Sequence, residues 1–214
     1  MKFLLIIFMM YPVILFGQVR IGWGGDAAIY GNYSYGTFMG HISITHNWLM
    51  SKNFAFSLGV MYSYTRIDEL SAWKTSEAHY FFEDDVVNRI NILASVTYAQ
   101  PILKNTGIYV SGSAFAEPIP FSYVSIEKST NVFDSTSKGK YAYTRFTPGA
   151  FIDIGIYHDF RKGNNLLKVF FGIGYGLHDP LPDYRNISID GQDLSTRIPD
   201  KKDLYRVTLR IMGF

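Results

Sequence analysis

The stretch Asn165-Leu166-Leu167-Lys168-Val169-Phe170-Phe171-Gly172-Ile173-Gly174-Tyr175-Gly176-Leu177-His178 splits cleanly on its two parities. One parity carries Leu167, Val169, Phe171, Ile173, Tyr175 and Leu177. The other carries Lys168, Phe170, Gly172, Gly174 and Gly176. A period of two marks a strand whose faces meet different surroundings. A soluble barrel would turn the apolar parity inward and give the other to water, where Lys and Glu are favoured. Three glycines do not make a water-facing surface; they suit a crowded interior. The bulky, uncharged parity is then left for hydrocarbon, where a charge at mid-depth costs about 2–4 kcal/mol.

The same split recurs outward from this stretch. The apolar parity reads Phe54, Phe56, Leu58, Val60, Tyr62, Tyr64 in one segment and Ile90, Ile92, Ala94, Val96, Tyr98 in another. It continues as Phe146, Ala150, Ile152, Ile154, Ile156 and as Tyr205, Val207, Leu209, Ile211, and no Asp, Glu, Lys or Arg is expected on that face in any strand. The opposite parity is small and polar, as in Ala55, Ser57, Gly59, Met61, Ser63, Thr65 and in Met39, His41, Ser43, Thr45, Asn47. Trp23, Trp48, Tyr64, Tyr98 and Tyr205 fall toward segment ends, where interfacial aromatic girdles form.

Eight strands follow from the alternation, at about 18–30, 36–49, 53–67, 88–100, 107–117, 142–159, 165–178 and 203–214. Each reaches the roughly 9–11 residues that a tilted strand needs to cross a bilayer. Three connections are short: Met50 to Lys52, Pro101 to Thr106, and Phe160 to Asn164. Three are long and polar, at about 68–87, 118–141 and 179–202. Short and long connections therefore gather at opposite ends, as in outer-membrane barrels. The expected fold is all-β, an eight-stranded antiparallel up-and-down transmembrane barrel spanning residues 18–214.

Residues 1–17 carry Lys2, an apolar run from Phe3 to Phe16, and the small Gly17 before Gln18, the pattern of a cleaved secretory signal. The apolar run falls short of the roughly 18 residues of a spanning helix. The 214 residues contain 48% apolar, 17% aromatic and only 18% charged residues, with 19 Gly and no Cys. Charged residues usually make up about a quarter of a soluble domain. The net charge of +2 points away from nucleic acid, and the missing Cys excludes disulfides and thiolate metal sites. No cofactor and no metal site is expected, since His79, His158 and His178 lack ligand spacing.

Charges punctuate the inward parity sparsely: Arg20, Asp26, Arg89, Glu117, Arg145, Asp153, Lys168, Arg206 and Arg210. Folding about the turn near Leu103 sets Arg89 almost opposite Glu117, with Arg145 at a similar height on the next strand. An Arg89–Glu117–Arg145 cluster is expected near the long-loop end. Asp26 with Arg206 is a second expected pair, across the closure of the first and last strands. Such clusters usually just satisfy buried charge.

These features together resemble the small OmpA/OmpX-type outer-membrane barrels and similar barrel-only proteins of Bacteroidetes. The most specific point of resemblance is the terminal segment Tyr205 to Phe214. The resemblance implies a bacterial outer-membrane location, contact with outer-membrane lipids and lipopolysaccharide, and recognition of a C-terminal aromatic, here Phe214, by the barrel-assembly machinery. Phe214 is out of phase with Tyr205, Val207, Leu209 and Ile211; either a bulge at Met212-Gly213 restores the phase or the terminal signal is imperfect.

Some barrels of this kind modify lipid A. His41-Ile42-Ser43 looks like their His-x-Ser pair, in which a histidine deprotonates a serine and a carboxylate orients it. Both residues fall on the inward parity, and no carboxylate is evident nearby. Lumen packing accounts for them better, and no enzymatic activity is expected. Gly172-x-Gly-x-Gly176 is a packing motif and not a phosphate loop, because no helix follows. Loops on a rigid scaffold tend to carry function. The 68–87 connection, with Trp73, Tyr80, Phe81 and Phe82 beside Glu83, Asp84 and Asp85, is the expected interaction surface. The expected role is structural or surface-interacting; the alternatives are a narrow solute or ion passage and a lipid A hydrolase.

Overall fold

The computed structural model describes residues 19–32, 37–67, 72–74, 78–82, 86–117, 123–130, 136–142, 148–179, 188–189, 192–193 and 203–214. The expected signal at 1–17 and the expected third member of the charge cluster, Arg145, lie outside the described residues.

Eight strands close into an antiparallel barrel: β1 (Arg20–Asn32), β2 (Thr37–Leu49), β3 (Phe54–Ile67), β6 (Val86–Pro101), β7 (Thr106–Ala116), β10 (Pro148–Lys162), β11 (Asn165–His178) and β14 (Asp203–Gly213). Each pairs with its neighbour in sequence, and β14 returns to β1. Closure leaves no free edge, so backbone polar groups find partners between strands. Short turns join β2 to β3, β6 to β7 and β10 to β11. The last of these turns on Gly163, whose φ of 59° suits glycine. The Met50 amide donates to the Phe54 carbonyl at 2.9 Å, and the Leu103 amide donates to the Thr106 carbonyl at 2.9 Å, closing the other two.

The long connections hold more structure than the sequence suggests. β4 (Ala72–Lys74), β5 (Ala78–Phe82), β8 (Tyr123–Thr130) and β9 (Thr136–Ala142) form a second, four-stranded sheet in the order β4-β5-β8-β9. Two stretches expected as loops, 68–87 and 118–141, thus pair with one another through β5 and β8, with Phe82 opposite Ile126 and Tyr80 opposite Lys128. The sixth long strand was expected from residue 142, but β10 begins at Pro148, because residue 142 ends β9. β12 (Ser188–Ile189) and β13 (Gln192–Asp193) make a small hairpin in the third long connection.

The parities divide as expected. Ile42, Ile44, Ile152, Ile154, Ile156, Phe171 and Ile173 are exposed on the outside, between 53% and 70%. The expectation of no charge on that parity in any strand does not hold at the ends: among the described residues Arg66, Lys162 and Asp203 share it, each at a strand terminus where the interface can hydrate a charge. Aromatic residues gather at two heights. Near the short turns, His46 sits edge-on to both Trp23 and Trp48, at 4.8 and 4.4 Å between centroids. Near the long connections, Tyr175 and Tyr205 pair at 5.4 Å. His158, whose sequence position suggested a loop, also lies on the outer face, bonded to Thr106 Oγ1 at 2.9 Å.

Inside, two apolar layers cross the barrel. One, toward the long-loop end, contains Tyr30, Met39, Met61, Leu93, Phe115, Phe151 and Leu204. The other, toward the short turns, contains Leu49, Tyr109, Tyr157, Leu166, Phe170 and Met212, with Phe214 packed against it. Of the two alternatives at the terminal segment, the bulge before Phe214 is not formed. The β11–β14 ladder runs unbroken to Leu167 opposite Gly213, and Phe214 exchanges both backbone bonds with Leu166, at 2.8 and 3.0 Å. Phe214 therefore keeps the inward parity and closes the lower layer.

Candidate functional site

The polar belt between these layers is the candidate site. Asp26 and Tyr30 come from β1, His41 and Ser43 from β2, Asp153 from β10, and Arg206 and Arg210 from β14. Strict alternation aims every one of them inward. Arg206 is the hub. Its Nε donates to Asp153 Oδ1 at 2.7 Å, and a second short contact joins Nη2 to Asp153 Oδ2. It also donates to Tyr30 Oη at 3.2 Å and to Ser113 Oγ at 2.9 Å. Its guanidinium lies 4.3 Å from the centroid of Phe151. Desolvated cation–π contacts of this kind add to the pairing.

Arg210 supplies the second half of the belt. Its Nη1 donates to Thr97 Oγ1 at 3.0 Å and to Ser111 Oγ at 2.8 Å, and its Nη2 lies 3.5 Å from Asp26 Oδ2. Asp26 in turn accepts from Ser43 Oγ and faces His41 Nε2 at 3.4 Å. His41 Nδ1 meets Tyr30 Oη, which returns the chain to Arg206. Two arginines thus balance two aspartates in one network across the lumen. The β1–β2 register passes from Gly24 opposite Thr45 to Ala27 opposite Ile42. Between these pairs the Asp26 amide donates to Ser43 Oγ at 3.1 Å, a side chain standing in for a strand carbonyl.

The expected Asp26–Arg206 pair is therefore not formed. Across β1 and β14, Tyr30 stands opposite Arg206, and Asp26 stands opposite Arg210. Arg206 keeps Tyr30 of β1 as a partner but reaches over Gly174 of β11 for its carboxylate, Asp153. That glycine is the gap through which the pair meets, because an added Cβ there would crowd Asp153 Oδ1 and lie 3.0 Å from Arg206 Cγ. Gly172 and Gly176 make the same kind of room, for Tyr109 and for the Phe151 ring. The glycine stripe alone could have announced large neighbours on both sides. It could not say which ones.

Arg89 and Glu117 do come together, with Nε and Oε2 3.8 Å apart and both side chains buried. They lie above the upper apolar layer, in the region of His178, whose Nδ1 is 3.4 Å from the Pro148 carbonyl oxygen. At the opposite end, Lys168 Nζ bonds Asp159 Oδ1 at 2.7 Å over the ring of Tyr157.

His41 and Ser43 have a carboxylate at hand after all, since Asp26 on β1 contacts both. The order is wrong for nucleophilic catalysis. A nucleophile needs its base within hydrogen-bond reach, and the base needs the carboxylate behind it. Here the carboxylate stands between the two, so Ser43 gives its hydrogen bond to Asp26 and none to His41. All three are buried inside the barrel. Among the described residues, no cluster of His, Asp and Glu could hold a metal ion.

Of the expected loop residues, Trp73 on β4 stands opposite Tyr80 on β5, and Phe82 is in phase with Tyr80 two residues on. Phe81 is paired in register with Ala72 of β4 and Glu127 of β8.

No protein-family model and no curated protein matches the chain. Solved structures similar to it include Neisserial surface protein A, at 13% identity over 92% of this chain and 97% of that one, with a TM-score of 0.42. The N-terminal β-barrel domain of Pseudomonas aeruginosa OprF is similar at 12% identity, over 92% of this chain and all of that one (100%), with a TM-score of 0.41. Ail, the attachment invasion locus protein of Yersinia pestis, is similar at 10% identity, over 91% and 95%, with a TM-score of 0.33.

Proposed function

We propose that this chain is a bacterial outer-membrane barrel with a closed lumen, whose role is structural or surface-interacting and is carried by its long connections. The observation that supports the membrane reading is the outer face. Some thirty large apolar side chains stand exposed there, among them Ile44 at 70%, Trp23 at 68% and Ile152 at 63%. A patch of this extent is foreign to a soluble monomer. Bands of Trp and Tyr above and below it match the two interfaces of a bilayer.

The two apolar layers argue against the porin-like alternative. Tyr30, Phe151 and Met61 close the lumen above the polar belt, and Tyr157, Phe170 and Met212 close it below. Eight strands leave an interior just wide enough for side chains to fill. The hydrolase alternative loses ground on the order of Ser43, Asp26 and His41 and on their burial.

In this orientation the short turns face the periplasm, and the sheet β4-β5-β8-β9 is on the cell-surface side, where Trp73, Tyr80, Phe81 and Phe82 would meet lipopolysaccharide or a surface partner. Phe214 would present the terminal strand to the barrel-assembly machinery before it closes the lower layer. Heat-modifiable gel migration of the outer-membrane fraction tests the proposal. A folded band that shifts on boiling supports it, and a protein recovered only from the soluble fraction overturns it.

A further inference from the structure

The short-turn mouth carries a strong excess of positive charge. A cavity of about 610 Å³ opens there, walled by Arg20, Lys52, Lys104, Arg161 and Lys168, with Asp159 as its one carboxylate. Five cations against one anion leave an excess of +4 on this wall. Among the described residues, Asp26 and Asp153 belong to the lumen belt, and Glu117, Asp179 and Asp203 lie at the other end of the barrel strands. Asp159 is already engaged by Lys168 at 2.7 Å and by Arg161 at 3.7 Å. No carboxylate among the described residues pairs with Arg20, Lys52 or Lys104; Arg20 Nη1 has only the Asn164 carbonyl, at 3.4 Å.

These cations are held together by the fold. Lys52 and Lys104 sit in two separate short turns, Arg161 at the edge of the third, and Arg20 at the start of β1. Up-and-down closure brings these four points around one opening. Its inner end is sealed by the lower apolar layer, where Tyr157 and Leu166 line the cavity and belong to that layer. A cleft lined by one sign of charge against low-dielectric walls focuses the potential and concentrates counter-ions. Two guanidiniums offer forked donors suited to phosphate, and the lysines add point charges. The volume falls within the usual range of small-molecule pockets, about 300–1,000 Å³.

We propose that this vestibule is a binding site for a soluble, multiply charged phosphate-bearing anion, of the size of a phosphorylated sugar or a glycerophosphate. The anion enters from the aqueous side of the short turns and stops at the lower apolar layer. Its charge takes up the cations that Asp159 leaves unpaired.

The test uses the refolded chain in a neutral detergent, titrated with inorganic pyrophosphate and with glycerol 3-phosphate, with glycerol as the uncharged control. Amide NMR shifts are followed residue by residue. Saturable shifts confined to residues 19–21, 49–53, 101–106 and 157–168, absent with glycerol, are expected. Lys52→Gln combined with Lys104→Gln should weaken binding at least tenfold. Both residues are exposed in turns, and an unchanged heat-modifiable band verifies that the variant folds. Shifts that do not saturate, or equal affinity in the variant and the parent, overturn the proposal. A parallel measurement in phosphatidylcholine nanodiscs with and without phosphatidylglycerol separates the sources. Shifts that appear only with phosphatidylglycerol, and with neither soluble phosphate, assign the cations to lipid headgroups and overturn a soluble ligand. The outcome does not depend on which membrane holds the barrel, so it stands or fails apart from the proposed location.

Discussion

Arg206 on β14 and Asp153 on β10 are joined across β11 by an Nε–Oδ1 hydrogen bond of 2.7 Å, directly over Gly174. Both side chains are about 1% exposed. Breaking a buried pair from one side strands the other charge, at a cost of about 3–5 kcal/mol. Arg206→Met should lower the urea midpoint of the refolded barrel by that much stability. Arg206→Met with Asp153→Asn should recover a large part of it. A single variant as stable as the parent would remove the pair from the forces that hold the belt.

Gly174→Ala should act on the same pair without touching either charge. Its new methyl would crowd Asp153 Oδ1 and lie 3.0 Å from Arg206 Cγ. Overpacking of this kind costs about 1–3 kcal/mol. Gly112→Ala is the control, because no heavy atom lies within 4 Å of its Cβ position. Urea unfolding of both variants should show a clear loss for the first and a change within about 0.5 kcal/mol for the second.

The barrel was legible in the sequence because its signal is local. Leu167 to Leu177 alternate without a break, and the turn at Gly163 declares itself by residue type. The Arg89–Glu117 contact was also within reach, since it needs only one turn to set the register. The belt was not. Arg206 pairs with Asp153 across an intervening strand, and the choice between Asp153 and Asp26 depends on side-chain reach over Gly174. The carboxylate of the His41–Ser43 pair was missed for the same reason: Asp26 is remote in sequence and adjacent in the barrel. The β4-β5-β8-β9 sheet escaped because its strands are short and pair between two connections, so no single stretch carries its pattern. The vestibule escaped because its cations are scattered singly over three turns and one strand start.

Planar-bilayer recording should find no reproducible channel in the parent. Phe151 stands in the upper layer and Phe170 in the lower, each about 1% exposed. Phe151→Ala with Phe170→Ala removes one ring from each layer and should introduce an ion leak, whereas either change alone leaves one layer intact. A stable open channel in the parent would contradict the closed lumen.

His41→Ala and Ser43→Ala should leave the lipid A of expressing cells unchanged by mass spectrometry, relative to cells carrying the parent chain. Their effect should be on stability, because each deletes a partner of the buried Asp26 carboxylate. A lipid A species that appears with the parent and vanishes with His41→Ala would restore the hydrolase reading.

The most direct measurement concerns Ile154, exposed on the outer face at 54%. The chain has no cysteine, so Ile154→Cys gives a single site for a nitroxide label. In lipid vesicles, electron paramagnetic resonance should show this label open to molecular oxygen and closed to a water-soluble nickel chelate. A label reached by the nickel chelate, or one shielded from both reagents, would contradict the account.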